Sequence, residues 1–218
     1  MATLPPMLSR STSTMPPALP EFAAALWLVR HGESTWNTQG LAQGHRDDAE
    51  LTAHGAAQAA AVAEQFRGVA VSAVYSSDLR RALQTADAFS AVLGLPVIRD
   101  ARLRERCLGV LEGTPLAAVT AAATGLDGGR VVDPDARPRD GESVRDLYLR
   151  AAEFCDDLAH QVRGTAGDVV VVAHGGTLRV LRAYLSGVAV EQMRWEPLEN
   201  ARVLRIDGFG TNAGGGTE

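Results

Sequence analysis

The stretch 168–177, which reads DVVVVAHGGT, determines much of the fold. Its apolar run over 169–173 is short and uninterrupted, which is typical of a strand buried on both faces. The run leads directly into His174 and two glycines, and a helical pattern then continues to Leu185. We therefore predict a strand over 168–173, a tight turn at His174 and a helix that begins immediately after the turn.

The rest of the chain repeats this alternation of short apolar runs and helical patterns. Strands are predicted over 25–29, 70–75, 96–98 and 202–206, and helices over 56–66, 79–93 and 142–162. Thr52 is a candidate N-cap for the first of these helices, and Ser76-Ser77-Asp78 can cap the second. The alternation indicates an α/β fold with three layers, in which a mostly parallel sheet is flanked by helices on both faces.

Polar residues follow three of the predicted strands at the point where each strand ends. Arg30 and His31 follow the first strand, Arg81 lies shortly after the second, and His174 follows the strand over 168–173. Parallel sheets bind ligands in the crevice beyond the carboxyl ends of their strands. Because the converging groups are cations and hydrogen-bond donors, we expect a pocket for a small anion.

These residue types suit the transfer of a phosphoryl group, whose charge is spread over three oxygens. The planar forks of Arg30 and Arg81 can bind phosphate oxygens through paired hydrogen bonds. An imidazole can act as the nucleophile, so we assign this role to His31, with His174 donating to the same oxygens. Glu105 is the candidate acid for the leaving alkoxide and the base for the attacking water.

Backbone N–H groups at the start of the predicted helix after His174 add a further attraction for anions. Gly175 is therefore a candidate substrate contact.

The composition and the net charge exclude several functional classes. The 218 residues are 46% hydrophobic and 22% charged, as in ordinary globular domains. A net charge of -5 argues against nucleic acid and anionic membranes as partners. All 21 basic residues are arginines, which excludes a Schiff-base lysine and a lysine-containing P-loop. Neither a metal site nor a cofactor is predicted, and a small-molecule substrate is the expected partner.

One domain over 25–207 is predicted between two unstructured ends. Residues 1–24 are rich in Pro, Ser and Thr and lack the apolar stretch of a secretory signal, so we expect a disordered extension. Residues 208–218 are expected to form a flexible tail. Cys107 and Cys155 have neither metal-ligand nor disulfide-framework spacing, so a cytoplasmic location is expected. The oligomeric state is left open, with a homodimer as one option.

Five motifs follow one another along the chain, and together they carry a family resemblance. They are LVRHGES at 28–34, QG at 43–44 with LT at 51–52, SSDLRRA at 76–82, LRE at 103–105, and finally GES at 141–143 with AHGG at 173–176. In this order they resemble the phosphoglycerate-mutase-like branch of the histidine phosphatase superfamily.

The resemblance implies a phosphohistidine at His31, within a pocket formed by Arg30, Arg81 and His174. It implies that Glu105 donates and accepts the proton. It also implies substrate contacts in the loops, from Asn37, Gln43 and Gly44. Residues 107–140, approximately, are expected to form a small helical cap over the pocket.

The sequence is compatible with three functions. The first is a phosphomonoesterase that hydrolyses a small phosphorylated metabolite. The second is a 2,3-bisphosphoglycerate-dependent phosphoglycerate mutase, and the third is a non-catalytic module that binds phosphoesters. The stretch after Gly113 has no lysine, and it contains three glycines at 125, 128 and 129. Such a cap is expected to admit water, which favours hydrolysis, and its Ala-rich segment 116–123 favours a broad or partly apolar substrate range.

Other charged residues are interpreted as structural. Arg80 is predicted to be a surface charge, because it lies on another side of the helix from Arg81. The arginines on either side of Glu105 are predicted to be solvated, although one of them could meet the substrate. His45, His54 and His160 are predicted to be loop or exposed helix residues.

Overall fold

A computed structural model describes residues 25–162 and 166–207. The elements are, in chain order, β1 Leu26–Arg30, α1 Thr35–Thr38, α2 Ala53–Glu64, β2 Val71–Ser76, α3 Arg80–Leu93, β3 Val97–Arg99, α4 Ala121–Thr124, β4 Leu126–Asp127, β5 Arg130–Val131, α5 Val144–Gln161, β6 Asp168–Ala173, α6 Gly175–Leu185 and β7 Val203–Ile206. The predictions for residues 1–24 and 208–218 lie outside the described residues.

Five strands form one sheet in the order β3-β2-β6-β1-β7. Strands β1 and β2 both pair in parallel with β6, and β2 also pairs in parallel with β3. Strand β7 is antiparallel to β1 and lies at one edge. The predicted mostly parallel sheet is confirmed, and its central strand is the apolar run that precedes His174.

Alternate residues of β6 pack against opposite layers of helices. Val170 and Val172 lie in a core with Phe89 of α3 and other residues of α2 and α3. Val169 and Val171 lie in a second core, together with apolar residues of α5 and α6. A strand buried on both faces must be apolar at every position, which explains the uninterrupted valines. The three-layer architecture is therefore confirmed.

Helix starts differ in how well their caps could be predicted. Thr52 caps α2, since its side chain accepts a hydrogen bond from the Gly55 N–H, and Ser143 caps α5 in a capping box with Asp146. The prediction for α3 was wrong, because its N-cap is Leu79 and no side chain caps it. The Ser77 hydroxyl instead lies 2.9 Å from His174 Nε2.

The segment 107–140 is less helical than predicted. It contains two short 3-10 turns, the four-residue α4 and the β4-β5 hairpin. The two residues between β4 and β5 are Gly128 and Gly129, whose φ angles are +51° and +72°. Two-residue hairpin turns with positive φ at both positions favour glycine. These glycines therefore form a tight turn.

In the part of the chain that the structure describes, no helix is both long enough and apolar enough to cross a membrane.

Candidate active site

A cavity of about 560 Å³ lies beyond the carboxyl ends of β1 and β6. Eight of the residues that the sequence singled out line it: Arg30, His31, Asn37, Gln43, Gly44, Arg81, Glu105 and Gly175. The ninth, His174, is buried against His31, with 5.1 Å between the two ring centroids. Residues that are far apart in the chain are thus brought together because their strands end at the same edge of the sheet.

The imidazole of His31 is held in one tautomer. Its Nδ1 lies 2.7 Å from the carbonyl oxygen of Gly32. A carbonyl oxygen can only accept, so Nδ1 carries the proton and Nε2 keeps its lone pair. Burial, followed by the charges of Arg81 and Arg30, holds the pKa of His31 well below its usual value. The ring is therefore neutral near pH 7 and can act as a nucleophile.

The turn that carries His31 is fixed from both sides. The N–H of Gly32 donates to Thr85 Oγ1 at 3.1 Å. A Cβ atom built on Gly32 would overlap the carbonyl oxygen of Gly55, so only glycine allows this approach to α2. From the other side, Asn200 Nδ2 donates to the carbonyl oxygens of His31 and Gly32, at 3.2 and 3.3 Å.

The guanidinium group of Arg81 is buried and oriented by backbone. Its Nη1 and Nη2 donate to the carbonyl oxygens of Arg46 and Gly44, at 2.8 and 2.9 Å. Its Nε is buried and has no hydrogen-bond partner among the described residues. Burial lowers the pKa of Arg81 to about 10, so the group still carries its charge at neutral pH.

Arg30 and His174 also have buried nitrogens without partners in the described structure. Arg30 Nη1 donates to the carbonyl oxygen of Leu198, whereas its Nε makes no hydrogen bond there. His174 Nε2 contacts Ser77, whereas Nδ1 has no such partner. Buried polar atoms are nearly always paired in folded proteins. This concentration of unsatisfied nitrogens next to His31 therefore indicates an anion-binding site.

Glu105 also lines the cavity, and its carboxylate is held by two backbone N–H groups. Its Oε1 accepts from the Arg106 N–H at 2.8 Å, and its Oε2 accepts from the Gly176 N–H at 2.9 Å. A Cβ atom built on Gly176 would overlap Glu105 Oε1, so this glycine makes room for the carboxylate at the start of α6.

Arg150 of α5 holds the backbone of the segment that carries Glu105 through hydrogen bonds. Its Nη1 donates to the carbonyl oxygens of Arg102 and Arg104, at 2.6 and 3.0 Å, and Nη2 donates to that of Glu105 at 3.2 Å. The Glu142 carboxylate accepts from Arg150 Nε and Nη2, at 3.0 and 2.8 Å. The segment that presents Glu105 is thus attached to α5 by one guanidinium group, which the sequence analysis did not identify.

The loop residues form a small polar network. Asn37 Oδ1 lies 2.9 Å from Ser34 Oγ and accepts from Asn200 Nδ2 at 3.1 Å. Ser34 Oγ lies 3.0 Å from Gln43 Oε1. Because the oxygen of Asn37 is engaged within the protein, its NH₂ group is the part that is available to a ligand.

Of the other charged residues, some are exposed at the surface, and one is buried and hydrogen-bonded to the backbone. Arg80 is an exposed partner of Glu50, as predicted. The expectation of a solvated residue was wrong for Arg106, which is buried and donates to the carbonyl oxygens of Thr124, Ala136 and Glu142. His54 and His160 are exposed and His45 is half-buried. Among the described residues, no group of three or more His, Cys, Asp or Glu side chains could hold a metal ion.

Two further residues of the cavity wall, Arg179 and Trp195, were not found by the sequence analysis. Arg179 lies four residues after Gly175 in α6. Residues at this spacing share a helix face, so the position of Arg179 could have been anticipated. Trp195 lies in a loop, so no helix spacing in the sequence predicts its position.

Comparisons with known proteins agree with this geometry. Residues 26–213 match the histidine phosphatase superfamily, branch 1. Over 190 residues the chain is 34% identical to the probable phosphoglycerate mutase GpmB of Yersinia enterocolitica, with 84% of either chain covered.

Solved structures of two phosphatases are also similar. A mycobacterial glucosyl-3-phosphoglycerate phosphatase in complex with VO3 has 34% identity and a TM-score of 0.75, with 84% of this chain and 90% of that chain covered. A mutant phosphoserine phosphatase of Entamoeba histolytica in complex with phosphoserine has 27% identity and a TM-score of 0.68, with 84% and 89% covered. With the family match extending over most of its length, this chain belongs to the histidine phosphatase superfamily.

Proposed function

We propose that the phosphatase chemistry of this family is carried out here by His31 as the nucleophile and Glu105 as the proton donor. His31 Nε2 attacks the phosphorus of a small phosphorylated metabolite, and the bond from phosphorus to the ester oxygen breaks. Glu105 transfers its proton to the departing alkoxide, which leaves as a neutral alcohol. The enzyme is left with a phosphohistidine and a Glu105 carboxylate.

Water completes the reaction in a second displacement. The Glu105 carboxylate takes a proton from the attacking water, and the oxygen of that water forms the new bond to phosphorus. The bond from phosphorus to His31 Nε2 then breaks and inorganic phosphate is released. Both steps use the same two side chains, with Glu105 alternating between acid and base.

The observation that carries this proposal is the set of buried nitrogens around His31. Arg30 and Arg81 each leave Nε without a partner among the described residues, and both guanidinium groups are held by backbone carbonyls. Fixed positive charge of this kind stabilises the equatorial oxygens of a phosphoryl group without reorganisation. We assign Arg30, Arg81 and His174 to the phosphoryl group, and Asn37, Gln43, Gly44 and Gly175 to further contacts with the substrate.

The positive charge that phosphoryl transfer requires comes from guanidinium groups, so we propose that the reaction proceeds without a metal ion. The test is phosphate release in the presence of excess chelator. Unchanged activity is expected, and a loss that magnesium restores would contradict the proposal.

A cytoplasmic location is also proposed, because Cys107 and Cys155 are both free thiols. Immunodetection in separated cell fractions would check it.

A mutase is the second candidate, since the Yersinia relative carries that name. A mutase must retain its phosphoenzyme and grip a carboxylate between two transfers. Arg106, which follows Glu105, directs its guanidinium group to three backbone carbonyls, and the wall beyond it is apolar at Leu108, Leu116 and Val119. This arrangement favours hydrolysis.

One experiment separates the two enzymes. The protein is incubated with 3-phosphoglycerate and a trace of 2,3-bisphosphoglycerate, and in parallel with p-nitrophenyl phosphate. Both isomer interconversion and inorganic phosphate are followed. We expect release of phosphate from the simple ester, with an acid-labile phosphate at His31 detected by mass spectrometry after rapid quenching. Rapid interconversion without phosphate release would favour the mutase, and the absence of any phosphohistidine would favour a binding module.

A further inference from the structure

A serine that the sequence offered as a helix cap is in contact with one of the two histidines of the site. Ser77 follows β2, and its hydroxyl oxygen lies 2.9 Å from His174 Nε2. Both side chains are fully buried. Helix α3 begins nearby without any side-chain cap, so this hydroxyl is placed toward the site and not toward the helix start.

The sheet holds the two residues side by side. Strands β2 and β6 are parallel neighbours, with Ser76 opposite Val172. The Ser77 N–H donates to the carbonyl oxygen of Val172 at 3.0 Å, and the Ser76 hydroxyl donates to the carbonyl oxygen of Ser77 at 2.8 Å. The backbone of Ser77 is therefore fixed at the edge of the sheet where β6 ends and His174 follows.

The direction of the hydrogen bond between Ser77 and His174 follows from a count of protons. Ser77 Oγ accepts from the Leu79 N–H at 3.3 Å. The proton of the buried hydroxyl also needs a partner, and among the described residues the acceptor in reach is His174 Nε2. Nε2 must therefore present its lone pair. In a neutral imidazole the single proton then lies on Nδ1.

The ring of His174 is neutral near pH 7. Burial, followed by the charge of Arg81, lowers the pKa of His174 well below its usual value. A protonated ring would also have to donate from Nε2 to Ser77 Oγ, and the serine proton would then lack an acceptor in the part of the chain that the structure describes. Ser77 therefore favours the uncharged ring.

The protonated Nδ1 of His174 is available to a ligand. Like Nε of Arg30 and Nε of Arg81, it is buried and has no partner among the described residues. A neutral ring donates its hydrogen bond without a third positive charge beside His31, whose ring centroid is 5.1 Å away. This matters because the His31 ring becomes positively charged when Nε2 bonds to phosphorus while Nδ1 keeps its proton.

We propose that Ser77 is a positioning residue, which holds His174 in the tautomer with its proton on Nδ1 and so makes His174 a neutral donor to the phosphoryl group. Ser77 is not part of the cavity lining, so it acts through His174 and not by contact with the ligand. The proposal rests on the proposed function, because it takes a phosphoryl oxygen as the acceptor for Nδ1.

The first test measures the tautomer in the full chain with isotope-labelled histidine. Proton–nitrogen correlation spectra show which ring nitrogen is protonated, and the resonances of His174 are identified by their loss in His174→Asn. Ser77→Ala removes the hydroxyl, and Ser77→Cys keeps its shape with a weaker donor. Ser72→Ala is the matched control, because it removes a hydroxyl from the other end of β2, where Ser72 Oγ donates to the carbonyl oxygens of Gly167 and Asp168.

We expect the proton of His174 on Nδ1 in the wild type and in Ser72→Ala. In Ser77→Ala a second population should carry it on Nε2, and Ser77→Cys should show a smaller change in the same direction. A wild-type ring with its proton on Nε2, or with protons on both nitrogens, would overturn the proposal even if no variant folds. An unchanged tautomer in the Ser77 variants would overturn it as well.

The second test asks whether Ser77 acts through His174. Calorimetry gives the Kd for inorganic phosphate in the wild type, Ser77→Ala, His174→Asn and the double variant. Asparagine keeps an N–H donor near the position of Nδ1 but is too short to reach Ser77. Ser77→Ala alone should weaken the affinity roughly 10-fold, as for loss of a neutral hydrogen bond, and should cost nothing further in His174→Asn. An unchanged affinity, or equal losses in both backgrounds, would overturn the proposal.

Neither measurement requires turnover, so the role of Ser77 and the proposed function fail separately. If the wild type hydrolyses p-nitrophenyl phosphate through a phosphohistidine but His174 carries its proton on Nε2, only the role of Ser77 is rejected. If no phosphohistidine forms but the tautomer and the phosphate affinity depend on Ser77, the positioning role stands and the phosphatase assignment fails.

Discussion

His31 Nδ1 and the carbonyl oxygen of Gly32, its neighbour in the chain, are joined by a hydrogen bond of 2.7 Å. Here the carbonyl fixes the proton on Nδ1, and Nε2 is left as the only ring atom that can attack phosphorus.

Replacing His31 by alanine should therefore remove nearly all activity. We expect a loss of turnover on the order of 10³-fold or more, because no neighbouring group can replace the nucleophile. The measurement is kcat on p-nitrophenyl phosphate, with His160→Ala as the control, since His160 is exposed on α5. Retention of a tenth of the wild-type turnover by His31→Ala would rule out the phosphohistidine mechanism.

Arg81→Lys tests whether the planar fork is required in addition to the charge. Two Nη donors hold the carbonyls of Gly44 and Arg46, and lysine cannot reproduce both bonds while still reaching a phosphoryl group. We expect turnover to fall by roughly 100-fold or more, as for loss of a transition-state donor.

Arg80→Lys is the matched control, because Arg80 is adjacent in sequence but exposed. It should retain wild-type turnover. Equal activity of Arg81→Lys and the wild type would show that Arg81 does not bind the phosphoryl group.

Glu105→Gln should be selective for the leaving group. Alkoxides need a proton to depart, whereas p-nitrophenolate does not, so the loss on an alkyl phosphate should exceed that on p-nitrophenyl phosphate by about 100-fold. The two kcat/KM values are compared under conditions where phosphoenzyme formation limits the rate. Equal losses on both esters would contradict the role of Glu105 as the acid.

Arg150→Met should show the same selectivity in a weaker form. Arg150 binds the carbonyls of Arg104 and Glu105, so its removal should displace the acid without affecting the phosphoryl clamp. We expect roughly a 10-fold greater loss on the alkyl ester than on the aryl ester. Arg145→Met is the control, because Arg145 lies on the same helix but forms its ion pairs at the surface. Uniform loss on both esters would indicate a general defect in folding.

The stability of the protein should fall as the pH drops below about 6.5, the ordinary pKa of histidine. Burial and the nearby arginines lower the pKa values of His31 and His174 in the folded protein, so below this pH the unfolded chain binds protons that the folded chain does not. Each histidine should then remove about 1 kcal/mol from the free energy of unfolding between about pH 7.5 and about pH 5.5.

Urea denaturation at both pH values measures this change. The decrease should be smaller in His174→Ala than in the wild type, while His160→Ala should match the wild type. If His174→Ala lost as much stability as the wild type on acidification, the histidine would not be held neutral in the folded state.

The sheet and most of the candidate site could be predicted because they depend on local patterns. Strand β6 is apolar at every position since both of its faces are covered, and this leaves a signal in the sequence itself. Arg30, His31 and His174 follow strand ends, so the topology of a parallel sheet was enough to bring them together.

Residues that support the site but do not follow a strand end were harder to predict from the sequence. Arg106 alternates with other arginines in a manner typical of a solvated turn, yet three carbonyls from separate loops enclose it. The irregular path of those loops depends on tertiary packing, and no local pattern encodes it. Arg150 and Asn200 were missed for the same reason, since each contacts the site through backbone atoms of distant segments.

The contacts of Asn200 with the nucleophile turn have a consequence for synthesis of the protein. Asn200 and its neighbour Ala201 supply hydrogen bonds to the carbonyl oxygen of His31, and they are made 169 and 170 residues later than the nucleophile. Contacts between residues so far apart in the sequence slow folding, because a long loop must close before they form. During translation these hydrogen bonds to the His31 turn can form only after residues 200 and 201 have been made, so the nascent chain completes its reactive centre only when almost the whole domain is present.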